Sequence, residues 1–200
     1  MSAAEIRPRT RREELLTIAA DLFATRGFPN VTVDELGDAA GVSGPALYHH
    51  FAGKDALLGE MLIGISEQLL AGGARLAAEA PADLPERLIL FHSQFAVDNR
   101  SLITVHFRDL IHATAADQYR VRRLQARYAA IWVDAVSTRY SGLDARTARA
   151  AVHATLGLIN STPFSSTLPR ARMIDLLVAM AGGALGQLAP DQLAPGRRPA

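Results

Sequence analysis

Three sets of side chains in this chain have types and spacings that could do chemistry. Within TVDELGDAAGVSGPALYHHFAGK, residues 32–54, Tyr48 offers a hydroxyl and a ring and His49 a ring nitrogen. Such groups read a nucleic acid when a helix turns them outward. Asp109 and His112 stand three apart, as an acid–base pair on a helix would. Arg120, Arg122, Arg123 and Arg127 form a guanidinium run suited to phosphates, or equally to a solvated helix face.

The sequence gives catalysis and metal binding little support. No nucleophile, glycine-rich phosphate loop, HExxH or paired-carboxylate pattern accompanies Asp109 and His112, so the chain is not expected to be an enzyme. His49 and His50, being adjacent, point to different sides of a helix, and no histidine pair stands at i, i+4. The absence of cysteine removes disulfides and thiolate metal sites. No metal or cofactor is expected.

The elements that must position Tyr48 and His49 can be derived. Thr32 with Glu35 spells a capping box, which starts a helix near Val33 with Leu36, Ala39 and Ala40 on its buried side. Gly41 can end it in the left-handed conformation. Ser43 is a favoured N-cap and Pro45 suits a first turn, so a second helix is predicted over about residues 44–51. On that helix Leu47 and Phe51 face inward while Pro45, Tyr48 and His49 face out, and the amides at its start suit a phosphate. Thr10 and Glu13 form another capping box, opening a helix striped by Leu15, Ile18, Ala19, Leu22 and Phe23. Two short helices at a tight turn, braced by a third, make a helix-turn-helix. The preceding IRPRTRR, with Arg7, Arg9, Arg11 and Arg12, reads as an arm able to follow a phosphate backbone or enter a minor groove.

The run AADLFATRGFPNVTVDELGDAAGVSGPALYHHFAGKDALL resembles the DNA-binding domain of the tetracycline-repressor (TetR) family of bacterial regulators, over roughly Arg12 to Leu58. That resemblance implies that Thr32, Ser43, Tyr48, His50 and Lys54 hold phosphates, and that Gly44, Pro45, Ala46 and His49 lie closest to base edges. Members often carry a long side chain where this chain has Gly44, so van der Waals contact with thymine methyls is expected there. The resemblance implies an all-α chain: a basic arm over 1–9, a DNA-binding domain over 10–56, a helical ligand-binding and dimerisation domain over 57–190 and a tail over 191–200. It further implies a dimer that binds an inverted-repeat operator and is released by a small molecule. An architectural DNA-binding protein without ligand control is the alternative, with similar affinity for any duplex.

The net charge of +1 is modest for such a role. Residues 1–56 carry six Lys+Arg against eight Asp+Glu, so DNA affinity has to come from segregated charge. Lys54 is the single lysine of the chain, the other basic residues being arginine. No secretory signal and no apolar run long enough to span a bilayer is present, which reads as a cytoplasmic protein without membrane association.

Beyond Lys54 every hydrophobic period is helical. Leu57, Leu58, Met61, Leu62, Ile65 and Leu69 stripe a long connecting helix whose end is expected at Gly72-Gly73 and the following APADLP. Residues 148–160 and 174–188 are rich in alanine and glycine, allowing close backbone approach, and STPFSSTLP between them reads as a surface loop. The family resemblance assigns these two segments to the homodimer interface; packing within one subunit is the other reading. Polar or aromatic residues interrupt apolar faces at His92, Phe95, His106, Arg108, His112, Trp132, Asn160 and Phe164, which are the candidate effector contacts, each with a plainer reading as a satisfied core residue. FRDLIH followed by DQYRVRRLQARY resembles members that regulate lipid and acyl-CoA catabolism, and there the arginine run would meet CoA phosphates.

Overall fold

The computed structural model describes residues 10–165 and 167–188, except for the side chain of Pro45. The arm expected over 1–9 and the tail over 191–200 lie outside the described residues. Among the described residues there is no strand, and no helix is long and apolar enough to cross a membrane.

The N-terminal unit is made of α1 (Arg11–Arg26), α2 (Val33–Ala40) and α3 (Gly44–Leu47), with a 3-10 turn at Phe28–Asn30. Both capping boxes form: the Glu13 amide donates to Thr10 Oγ1 at 3.3 Å and the Glu35 amide to Thr32 Oγ1 at 3.2 Å, and each glutamate accepts from its cap's own amide. Gly41 ends α2 at φ 66. Ala39 is exposed, and its expected buried place is taken by Gly37, where a Cβ would lie 2.8 Å from Gly44 N and Val42 O. That close approach seats the start of α3 against α2. The helix expected over 44–51 stops at Leu47 and continues as turns, with His49 N to Ala46 O at 3.2 Å and His50 N to Leu47 O at 2.9 Å. Consecutive Tyr48, His49 and His50 are weaker helix formers than alanine or leucine and do not prolong it. Leu47 and Phe51 are buried, as their spacing predicts.

The rest comprises α4 (Lys54–Ala78), α5 (Leu84–Asp98), α6 (Arg100–Asp109), a 3-10 turn at Leu110–His112, α7 (Ala115–Arg139), α8 (Ala145–Ile159), α9 (Thr162–Ser165) and α10 (Arg170–Gly186). Here α4 runs straight through Gly72 and Gly73 instead of ending there. These glycines are notches: a Cβ on Gly72 would sit 2.1 Å from Phe91 Cζ, and one on Gly73 2.7 Å from Tyr128 Cε2. A third notch, Gly59, admits the carboxylate of Asp117 at the start of α7. STPFSSTLP is not wholly a surface loop, because Thr162 in α9 is buried and donates to Ala96 O at 3.2 Å.

One hydrophobic core surrounds Trp132, Leu88, Val152 and Leu177. The other holds Leu15, Phe23, Leu36, Leu47 and Phe51 and extends through Leu58 and Leu62 of α4 to Val105 of α6 and Val121 of α7. The N-terminal unit is therefore packed directly onto α6, with α4 continuing the same core to Val121 of α7.

Candidate functional site

The outer surface of the helix-turn-helix carries Thr32, Ser43, Tyr48 and His49, all exposed, with Ala46 and His50 half-buried. Tyr48 is 57% exposed, its hydroxyl free to meet an external acceptor. The Ser43 hydroxyl makes no hydrogen bond among the described residues, so its expected capping role gives way to an open donor at the surface. Two expectations change at the level of geometry. Gly44 is buried rather than presented outward: a Cβ there would lie 2.3 Å from Asp34 Oδ1, so the Asp34 side chain fills the space a longer residue would use. Asp34 is exposed beside Gly44 and is a surface residue the sequence reading missed. Lys54, in turn, is folded back. Its ammonium donates to Phe28 O at 2.9 Å and Val31 O at 2.8 Å and lies 4.3 Å from the Phe28 ring centroid.

Arg11 and Arg12, read as part of a free arm, are likewise engaged. Arg11 donates to Ala40 O at the end of α2. Arg12 makes a two-pronged pair with Glu60, donates to His50 O and stacks 4.5 Å from the Phe51 ring centroid. These contacts hold α1, the turn after α3 and α4 together.

A second site lies inside the helical bundle. A cavity of about 270 Å³ opens between α4, α5, α6, α7 and α8, and His92, Phe95, His106 and Asn160 line it as anticipated. The other four candidates lie elsewhere. Trp132 is wholly buried behind His92, ring centroids 6.1 Å apart, and its indole N–H makes no hydrogen bond among the described residues. Phe164 is 86% exposed on α9. Arg108 and His112 reach the N-terminal unit instead: Arg108 donates to Ala24 O at 3.0 Å and to Phe23 O, and His112 stacks on Phe28 at 5.7 Å. Asp109 is engaged by Arg108 at 3.0 Å rather than by His112, so the candidate acid–base pair is not assembled.

The polar end of the cavity is a relay. Burial pushes the His92 imidazole down to about 4, so it is neutral near pH 7. Asn160 Oδ1 can only accept, so His92 Nε2–H donates to it at 3.0 Å, and the Tyr128 hydroxyl donates to Nδ1 at 3.1 Å. Burial likewise pushes the Tyr128 phenol up. Across the cavity Gln125 Nε2 donates to His106 Nε2 at 2.9 Å, and burial lowers the His106 imidazole. Tyr128 and Gln125 escaped the sequence reading; the one available signal was Gly73, whose missing side chain makes room for the Tyr128 ring.

A groove of about 460 Å³ between α7 and α8 shares Gln125, Ala129 and His153 with the cavity and adds Arg122 and Arg149. Elsewhere in the arginine run, Arg120 pairs with Glu67 at 2.7 Å and Arg123 lies 5.8 Å from the Tyr119 ring centroid.

A helix-turn-helix carried on a helical bundle with an internal cavity defines a class of one-component DNA-binding regulators. The family model described as bacterial regulatory proteins, tetR family, matches residues 15–61. The chain is 34% identical over 146 residues to the HTH-type transcriptional repressor Rv3405c of Mycobacterium tuberculosis, covering 70% of this chain and 68% of that protein. It belongs to the TetR family. It is also 34% identical over 103 residues to the transcriptional repressor KstR2 of Mycolicibacterium smegmatis, a match spanning 51% of this chain and 50% of that relative. In fold it resembles PfmR of Thermus thermophilus, with TM-score 0.77, 22% identity and coverage of 89% and 97% of the two chains. It also resembles AibR in complex with isovaleryl coenzyme A and operator DNA, with TM-score 0.71, 16% identity and coverage of 86% and 97%.

Proposed function

We propose that this chain is a ligand-responsive transcriptional repressor that binds an inverted-repeat operator as a homodimer and is released by a small, largely apolar effector. The observation that carries this reading is the build of α6. Its residues His106 and Phe107 line the cavity, while the next residue, Arg108, holds the C-terminal carbonyls of α1. An occupant that shifts α6 thereby shifts the DNA-binding unit, which is what differential affinity between two conformations requires.

Dimerisation through α8 and α10 is supported by a face of α10 with no partner among the described residues. Leu176, Ala179, Met180 and Gly183 share one exposed side of α10, and a Cβ on Gly182, Gly183 or Gly186 would meet nothing within 4 Å among those residues. Glycines left open within the chain fit close approach by a second copy better than packing within one subunit. Acyl-CoA thioesters suit the cavity and its adjoining groove, the acyl part inside and the phosphates toward Arg122 and Arg149. DNA contacts fall to Thr32, Ser43, Ala46, Tyr48, His49 and His50, with Asp34 beside them.

Selection of bound sequences from random duplexes tests this reading. Recovery of an inverted repeat is the expected result, and similar affinity for any duplex would establish an architectural protein instead. Acyl-CoA thioesters of graded chain length are then expected to release the selected duplex, and no release at any length would retire that effector class.

A further inference from the structure

Among the described residues no arginine, lysine, aspartate or glutamate lines the cavity; its titratable lining is His92, His106 and His153 with the Tyr128 phenol, and its apolar lining includes Ile65, Phe95, Ile103 and Leu156. A free carboxylate brought inside would lose its hydration with no permanent cation to replace it. His92, 3% exposed, cannot serve as that cation, because both ring nitrogens are already committed, one as donor to Asn160 Oδ1 and one as acceptor from Tyr128; His106 already accepts from Gln125 through Nε2, and His153 is exposed and shared with the outer groove. The same commitment fixes Asn160. With Oδ1 taken by His92, the amide Nδ2 keeps two N–H donors that have no partner among the described residues, on a residue that lines the cavity.

We propose that the part of the effector held in this cavity is uncharged and ends in a carbonyl acceptor, a ketone, ester or thioester, that takes the Asn160 amide N–H groups. The inference rests on the cavity being the effector site. An occupant would cover the Asn160 N–H donors from water, so one that supplies the acceptor is selected over an alkane of the same shape. It is equally selected over the corresponding acid, which brings the acceptor together with an unpaired charge.

The probe is already in the chain: Trp132 is its one tryptophan and stands perpendicular to the His92 ring. The full chain is titrated near neutral pH with methyl decanoate, cyclododecanone and decanoate while Trp132 emission is followed. At least one of the two neutral carbonyl compounds is expected to bind about ten-fold or more tightly than decanoate. Preference between them distinguishes a linear acyl source from a cyclic ketone. Asn160→Asp keeps the oxygen that accepts from His92 and removes the N–H donors, so it is expected to lose about ten-fold in affinity for the neutral compound. Asn160→Ala is the second variant should Asn160→Asp fail to fold. Decanoate binding as tightly as the ester and ketone, no binding of either neutral compound, or variants that bind them unchanged would overturn the proposal. The measurement involves no DNA. A protein that binds the ester but selects no operator sinks the regulator reading alone; one that selects an operator but prefers decanoate sinks this inference alone.

Discussion

Arg108 of α6 donates through Nη1 to the carbonyl oxygen of Ala24 at 3.0 Å, across 84 residues of chain. Its neighbouring nitrogen donates to Phe23 O, which also accepts from Gly27 N at 2.8 Å, so one guanidinium sits at the C-terminal end of α1, the negative end of the helix dipole. Asp109, only 1% exposed, lies against the same guanidinium and holds it in place. This joint is where the cavity wall meets the DNA-binding unit.

Removing the guanidinium leaves the buried Asp109 charge without its partner. Arg108→Ala is therefore expected to cost about 2–4 kcal/mol, below the loss for a fully buried pair because Arg108 is partly exposed. Asp109→Asn added to Arg108→Ala relieves the stranded charge and should recover part of that loss. Urea unfolding of the four proteins of the cycle checks this, and an additive double variant would refute the coupling.

Lys54 and Tyr48 are expected to part company. The ammonium of Lys54 spans Phe28 O and Val31 O, so Lys54→Ala should lower stability by about 2 kcal/mol. Tyr48, exposed at the surface, should change stability by less than about 0.5 kcal/mol on replacement by phenylalanine. Tyr48→Phe should nevertheless weaken operator binding about five-fold by losing a hydroxyl contact, with the salt dependence unchanged because no charge is removed. Thermal unfolding alongside binding at several salt concentrations separates the two residues.

The glycines of α4 make opposite forecasts on one helix. Alanine at Gly72 would press into the Phe91 ring, and the clash should outweigh the gain of about 1 kcal/mol in helix propensity, leaving a net loss. Gly64 has nothing within 4 Å of its would-be Cβ, so Gly64→Ala should stabilise by about 0.5–1 kcal/mol. Denaturant midpoints for the two variants should move in opposite directions.

Acidification should destabilise the bundle through His92. Its folded value of about 4 lies below the ordinary 6.5, so the unfolded chain takes up the proton first as pH falls. Stability from this group is full above about 6.5 and is lost as pH drops toward 4, by at most about 1.4 kcal/mol per pH unit. His106, also held down by burial, adds in the same direction. Urea midpoints taken between about pH 7 and about pH 5 should fall more steeply for the native chain than for His92→Gln.

Local chemistry was legible where a short sequence carries its own hydrogen bonds. Thr32 with Glu35, Thr10 with Glu13, and Gly41 specify two helix starts and one helix end within a few residues, and the structure forms all three. What escaped depends on partners distant in sequence. Gly72 and Gly73 looked like a helix end because their reason for being glycine lies in Phe91 and Tyr128. Lys54 looked available because nothing in its own helix shows that it reaches back to Phe28 and Val31. In the cavity, polar interruptions picked out His92, His106 and Asn160, but the same signal also returned Arg108 and His112, whose partners sit in the other unit. Periodicity tells that a side chain faces inward, not which neighbour it meets there.

The notches along α4 set a limit on how this molecule can move. Gly59 receives Asp117 and Gly73 receives Tyr128, both on α7, and fourteen residues of helix separate the two glycines by ~21 Å. A slip of a single residue, ~1.5 Å along the axis, would drive backbone into a carboxylate at one notch and a ring at the other. Sliding is thus closed to the two longest helices, which behave as one rigid chassis. Beyond that chassis, ten-residue α6 is an element that both lines the cavity and packs on α1.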